Sequence, residues 1–291
     1  MQDQRPFILM TDPAAFEVCY QINPWMQPQA WRRGDAAAAH AASEALKTAL
    51  ITAGAHVETI GAVRGLPDLV FPANAAVVLD GRVLLACFRH PERQGEEAVF
   101  LSAFEALKRR GVVSDIVRLP EGVLQEGAGD CIWDADRHLF WAGYGPRSSR
   151  SSIAVIEQTF GQEVVALELA SDRYYHLDTC FCPLGGGQVL YYPPAFTPAA
   201  QATIRERVPL SQRIAATDEE AEAFCVNAVN FDGRIVMARA PASLRRKLEA
   251  RGFAVTEVDL APFILSGGAA YCMTLRLDRT SQARPRLLAA E

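Results

Sequence analysis

The sequence predicts an α/β fold in which a hairpin, a helix and a strand recur about five times. Three observations carry this reading. Helix-like stretches end in glycine at Gly54, Gly111, Gly161 and Gly252. An alternating or apolar strand follows each of them. The glycines lie 57, 50 and 91 residues apart, the last gap near twice the others, so one more, degenerate unit is expected between Gly161 and Gly252.

The elements follow in order. "DAAAAHAASEALKTALITAG" reads as a helix running into the strand "AHVETI", and "EEAVFLSAFEALKRRG" runs into "VVSDIVRL". "SSIAVIEQTFG" runs into "QEVVALEL", and "PASLRRKLEARG" into "FAVTEVDL". Glycine just past a helix end fits the left-handed C′ position, and the basic last turns at Lys108–Arg110 and Arg245–Lys247 suit the helix dipole. The degenerate unit is expected to use "PAAQATIRERV" as its helix. Strand pairs lie between the helices in "AAVVLDGRVLLACF", "CIWDADRHLFWAG" and "AVNFDGRIVMA", where Asp80-Gly81 and Asp232-Gly233 signal two-residue hairpin turns. A period near 50 residues with sheet in every unit fits radial repetition, blades around an axis. It also fits an ordinary α/β sheet whose helices happen to match in length. In the radial form distant segments meet at the axis, and a site there draws its residues from every repeat.

Composition sets the function classes. The chain has 291 residues, 50% hydrophobic, enough for a full core. The net charge of −5, without a basic run, argues against a nucleic-acid partner. The N-terminal "MQDQRPFILMTDP" holds no apolar run of signal-peptide length, and no stretch reaches the roughly 18–20 apolar residues of a membrane span. Seven scattered cysteines, at 19, 87, 131, 180, 182, 225 and 272, are an odd count unlike a secreted disulfide framework. A cytoplasmic protein with free thiols, no membrane partner and a small-molecule substrate is expected, and a homo-oligomer is left open.

The stretch "HLDTCFCPLGGGQVLYY" concentrates the chemistry. Zinc wants about four nitrogen or sulfur ligands in close pairs, and His176, Cys180 and Cys182 have no second pair to complete a set. Cys180 and Cys182 form a CxC rather than a CxxC redox motif, and both read as small packing residues. Nucleophilic catalysis needs a thiol or hydroxyl, a base and a carboxylate. His176 is the base candidate. "LQEGAGDCIW" adds Glu126 and Asp130 around Gly-Ala-Gly, where the backbone can approach a ligand closely. "ILSGGAAYCMTLRL" leads through two glycines to Cys272. Taken singly, each of these residues equally suits a structural role.

Six motifs in order change that balance: "INPWM" (22–26), "PDLVFPANA" (67–75), "FRHPERQGE" (88–96), "EGAGD" (126–130), "HLDTCF" (176–181) and "GGAAYCMTL" (267–275). Over nearly its whole length the chain resembles the guanidino-group-modifying enzymes: arginine deiminases, dimethylarginine dimethylaminohydrolases, amidinotransferases and arginine dihydrolases. The resemblance implies a single catalytic domain over residues 1–291, folded as the pentein, a five-bladed pseudo-symmetric α/β propeller. It implies a catalytic set of Cys272, His176 and Glu126, with no cofactor and no metal. By motif, Arg93 and Arg147 of "GYGPR" are expected to clamp a substrate carboxylate, a bidentate task that suits arginine's planar fork. Asp178 is expected to hold the guanidinium. Asp130 is a further substrate-binding candidate, although "EGAGD" carries one residue more than the deiminases' EGGD.

One departure bears on the substrate. Deiminases and dimethylarginine hydrolases tend to place aspartate where this chain has Asn74, whereas arginine dihydrolases pair "INPWM" with "FTANAG", much as here. An amide both donates and accepts, so Asn74, with Asn23, is expected to hold a neutral ureido intermediate for a second attack. The expected activity is therefore cysteine-dependent hydrolysis of arginine to ornithine, ammonia and carbon dioxide. The alternatives are hydrolysis that stops at citrulline, from arginine or dimethylarginine, amidino transfer to a second amine, a non-catalytic arginine-binding pentein, and an RNA-binding propeller, which an acidic chain fits badly.

Overall fold

The computed structural model describes residues 5–32 and 34–282; the first four residues of the N-terminal segment read above lie outside it. Among the described residues the strands form five separate three-stranded sheets. In each, a first strand pairs antiparallel with a second, and the second pairs parallel with a third across a helix. The sheets comprise residues 76–79, 82–85 and 115–117; 131–134, 139–144 and 163–168; 181–183, 189–191 and 213–215; and 229–231, 234–237 and 254–257. The fifth is closed by both ends of the chain: Phe7–Thr11 pairs antiparallel with Leu275–Arg276 and parallel with His56–Ile60. This is the five-bladed architecture that the resemblance implies, and of the two forms that the repeat spacing fits it is the radial one.

The crossover helices are Asp35–Thr52, Glu96–Arg109, Ser152–Phe160, Pro198–Arg207 and Ala242–Glu249. Each buries a narrow stripe at three- and four-residue spacing, as with Phe100, Phe104 and Leu107 of the second. Pro198–Arg207 is the helix expected for the degenerate unit, with proline in its first turn and Thr197 accepting a capping hydrogen bond from the Ala200 amide. The Asp-Gly turns adopt positive φ at both residues, 53° and 74° at Asp80 and Gly81, 48° and 73° at Asp232 and Gly233, the conformation that follows the twist of a hairpin. The blade from 181 to 215 differs: its strands are three residues long and it turns through Gly185–Gly187.

Each blade's first strand is entered from one end of the ring, and the chemistry-bearing residues sit just ahead of those strands. Asn74 lies on the turn Pro72–Ala75, Glu126 before Gly127–Gly129, and His176 and Asp178 at Leu177–Thr179. Cys272 precedes Leu275–Arg276, and Asn227 precedes Val229–Phe231. His176 therefore stands on the turn before a strand, not on the strand. No helix among the described residues is long and apolar enough to cross a membrane.

Candidate active site

Two hydrogen-bonded groups meet at this end of the ring. In the first, His176 Nε2 lies 2.7 Å from Glu126 Oε2, and Arg147 donates to the same oxygen at 3.0 Å. The carboxylate contact assigns a proton to Nε2 and leaves Nδ1 for proton exchange. Nδ1 faces Asn74 Nδ2 at 3.4 Å. Arg93 donates to Asn74 Oδ1 at 2.8 Å, which fixes the amide with its NH2 toward the histidine. Arg93 is in turn gripped by Glu96 through two bonds of 2.9 and 2.8 Å and donates to the Asp68 carbonyl at 3.2 Å. Burial alone would raise the Glu126 carboxyl, but the Arg147 guanidinium and the hydrogen bond with His176 outweigh it and hold it well below the usual carboxylate range.

The second group surrounds the sulfur. Cys272 Sγ is 3.1 Å from Asp178 Oδ2 and 3.1 Å from Asn227 Nδ2. The other Asp178 oxygen, Oδ1, is buried and without a hydrogen-bond partner. Burial pushes the Asp178 carboxyl up to about 7. Burial, and then the neighbouring Asp178, push the Cys272 thiol well above its ordinary value. A buried carboxylate with one orphaned oxygen, beside a second acidic group, is costly to ionise unless a cation arrives. The groups are joined by the short turn from His176 to Asp178 and by the Ala73 amide donating to the Cys272 carbonyl at 3.2 Å.

Glycine makes the approach possible. A Cβ on Gly129 would lie 2.1 Å from Asn74 Nδ2, so the Gly-Ala-Gly segment admits a protein side chain where the sequence suggested a ligand.

The remaining expected residues have more local surroundings. Asp130 accepts from Ser148 Oγ at 2.6 Å and from the Leu177 amide at 3.0 Å, which ties down the turn carrying His176. Asn23 donates to the Ser266 carbonyl at 3.1 Å and accepts from the Trp25 and Met26 amides, so it is bonded to backbone and not to the other site side chains. Arg93 and Arg147, expected to clamp a substrate carboxylate, each hold a protein carboxylate here. Arg147 also donates to the Ile22 carbonyl at 3.0 Å and lies 4.6 Å over the Tyr175 ring. Cys180 and Cys182 are buried, Cys182 within a strand, as packing residues. All the expected site side chains are buried, with Asn23 the least so at 7% exposed. The site is closed.

Sequence reasoning missed Asn227, Asp68 and Glu96. Asp68 sits in "PDLVF" and accepts from Ser266 Oγ at 3.1 Å. Asn227 carried one signal, its place just ahead of a hairpin's first strand. Among the described residues no group of three or more His, Cys, Asp and Glu side chains is arranged to hold a metal ion.

The model of the eukaryotic N,N dimethylarginine dimethylhydrolase family matches residues 17–279. The chain is 42% identical over 270 residues to the bifunctional arginine dihydrolase/ornithine cyclodeaminase ArgZ of Synechocystis, covering 93% of this chain and 37% of that protein. It therefore spans little more than a third of that relative. It is 36% identical to the N(G),N(G)-dimethylarginine dimethylaminohydrolase of Mycobacterium tuberculosis, covering 92% of this chain and 84% of that protein. The solved N-terminal domain of ArgZ, in an asparagine-to-serine variant covalently bound to a reaction intermediate, superposes with a TM-score of 0.90 at 40% identity. It covers 96% of this chain and all of that one.

Proposed function

The chain belongs to the dimethylarginine dimethylaminohydrolase family of guanidino-modifying hydrolases, and from that premise we propose that it is an arginine dihydrolase with Cys272 as nucleophile. The observation that carries this reading is the buried Cys272–Asp178 pair with one unpartnered carboxylate oxygen, set beside the His176–Glu126 pair. That arrangement lacks one cation, and a guanidinium is a planar cation with donors for both Asp178 oxygens.

The guanidinium docks on Asp178 and lowers the cost of ionising the adjacent thiol. The Cys272 thiolate adds to the guanidinium carbon. His176 delivers a proton through Nδ1 to the departing nitrogen, and ammonia leaves a cationic S-alkylthiouronium. Neutral His176 then takes a proton from water, which attacks the same carbon. Cleavage of the carbon–sulfur bond gives citrulline and restores the thiolate. In the second round the thiolate adds to the ureido carbon, a second ammonia leaves, and water releases a carbamate that loses carbon dioxide to give ornithine. Two waters are consumed in all. Glu126 keeps the imidazole oriented and stabilises its charged form. Asn74, its oxygen held by Arg93, offers NH2 donors to the neutral ureido oxygen, a task a carboxylate cannot perform. For Arg93 and Arg147 to supply forks to the substrate's α-carboxylate, each has to turn donors away from the Glu96 and Glu126 carboxylates that it holds in the closed site. Asn23 and Asp130 support the flanking segment and the histidine turn.

A second reading, hydrolysis of dimethylarginine to citrulline and dimethylamine, is favoured by the family model and the mycobacterial relative. Mass spectrometry of products separates the two. Ornithine from arginine is the expected result; citrulline accumulating alone would overturn the dihydrolase reading, and dimethylarginine as the better substrate would establish the second. No product from either would leave a binding protein.

A further inference from the structure

The proposed reaction needs a thiolate, yet the surroundings of Cys272 oppose one. Asp178 and Tyr175 face it from the turn of the neighbouring blade, Asp178 as an acid 3.1 Å away. On the other side, the Ala269 backbone offers a hydrogen bond from the loop of Cys272 itself that favours the thiolate, and the Arg93 charge favours the ionised form of Asp178. The side-chain amide of Asn227 also donates a hydrogen bond to the sulfur, at 3.1 Å.

We infer that Asn227 is the positioning residue that stabilises the Cys272 thiolate, its Nδ2 donating to the sulfur while its Oδ1 fixes the turn that carries it. The inference rests on Cys272 being the nucleophile. Asn227 is fully buried, and every polar atom of its side chain is spent on this task. Nδ2 is 3.1 Å from Sγ and 3.1 Å from the Asp178 carbonyl. Oδ1 accepts from the Tyr271 and Cys272 amides at 3.0 and 3.2 Å. One amide thus locks the nucleophile's backbone to the Asp178 turn and aims an N–H at the sulfur. Such a bond is roughly twice as strong to an ionised acceptor as to a neutral one, so it favours the thiolate. The amide comes from the blade that otherwise brings no side chain to the reaction, so all five blades contribute to the site.

The two halves of this role separate by substitution. Asn227→Asp keeps an oxygen for both backbone amides but loses the donor and adds an acid beside the sulfur. Asn227→Ala loses both halves. The readout is the ultraviolet absorbance of the Cys272 thiolate, taken as the difference between each protein and the same protein carrying Cys272→Ser, together with the pH profile of kcat/KM. Both variants are expected to titrate about one pH unit or more higher than wild type, the aspartate variant further, with kcat/KM near neutrality down at least about tenfold. A folded Asn227→Asp protein that titrates like wild type would overturn the inference and leave Asn227 a structural tie. Should neither variant fold, the side-chain amide resonance of Asn227 in the wild-type protein decides. It is expected to follow the thiol titration and to stay flat in Cys272→Ala, and an amide that ignores the thiol overturns the inference. Arginine turnover by Cys272→Ser would sink the nucleophile assignment instead, while the thiol titrations would still judge Asn227.

Discussion

The two halves of the site are built in opposite electrostatic states. Around His176, each ionised group has a partner: Glu126 has Arg147 and the imidazole, and Arg93 has Glu96. Around Cys272, two acidic groups lie 3.1 Å apart, burial raises both, and one oxygen of Asp178 has no partner. The first half is fully paired, and the second leaves a buried carboxylate oxygen unpaired. Strain of this kind opposes folding and persists where function needs it. Under the proposed function, the charge that activates the thiol arrives with the substrate.

The largest expected effect comes from relieving that strain. Asp178→Asn removes the anchor proposed for the guanidinium, and turnover of arginine is expected to fall by about 10²–10³-fold or more, as when a charge-stabilising group is lost. The same change removes a buried, partly unsatisfied acid, so thermal unfolding at pH 8 should occur at an unchanged or higher temperature. Full activity, or a clear loss of stability with an intact fold, would break the comparison.

Glu126→Gln tests the paired half and should move stability the other way. Arg147 loses the anion that neutralises it in a buried setting, which costs about 3 kcal/mol, and the glutamine amide can no longer orient the imidazole by charge. Denaturant unfolding should show the loss, with kcat down by roughly 10²-fold. The opposite signs of the two stability changes are the sharper result; losses of equal size in both variants would make the halves alike.

Most members of the site were legible in the sequence, but not its division into a paired and an unpaired half. Cys272, His176, Glu126, Asp178 and Asn74 stand in unusual motifs, and the Asp-Gly turns and helix-ending glycines announce blades because those backbones demand particular residues. What escaped was set by tertiary contact. Phe7–Thr11 is a strand because it meets Leu275–Arg276 from the far end of the chain, a pairing no local pattern encodes. Residues 181–191 lack the Asp-Gly signal because their hairpin turns through three glycines. Asn227 is an ordinary asparagine in "CVNAVNF", and only the arrival of Cys272 from 45 positions away gives it a role. Arg93 and Arg147 were legible as forks, but the carboxylates they grip in the closed site were not.

The subtlest expectation concerns pH. Asp178 titrates near 7 in the folded chain against about 3.9 unfolded. Between those values the folded state holds a proton that the unfolded state has lost. The stability owed to Asp178 is therefore fully present below about pH 4 and disappears as pH rises through 7. Asp130, which burial pushes up to about 6, adds a loss of the same sign. Glu126, held low, acts on the acid side: its contribution is present above about pH 4.3, its unfolded value, and fades as pH falls further. Urea unfolding from pH 4.5 to 8 should thus show wild type losing ground relative to Asp178→Asn, by on the order of 2 kcal/mol across the range. The gap should stop growing above pH 8. Parallel curves would mean that Asp178 ionises as freely in the fold as in water, and the contrast between the halves would then be one of geometry without stored energy.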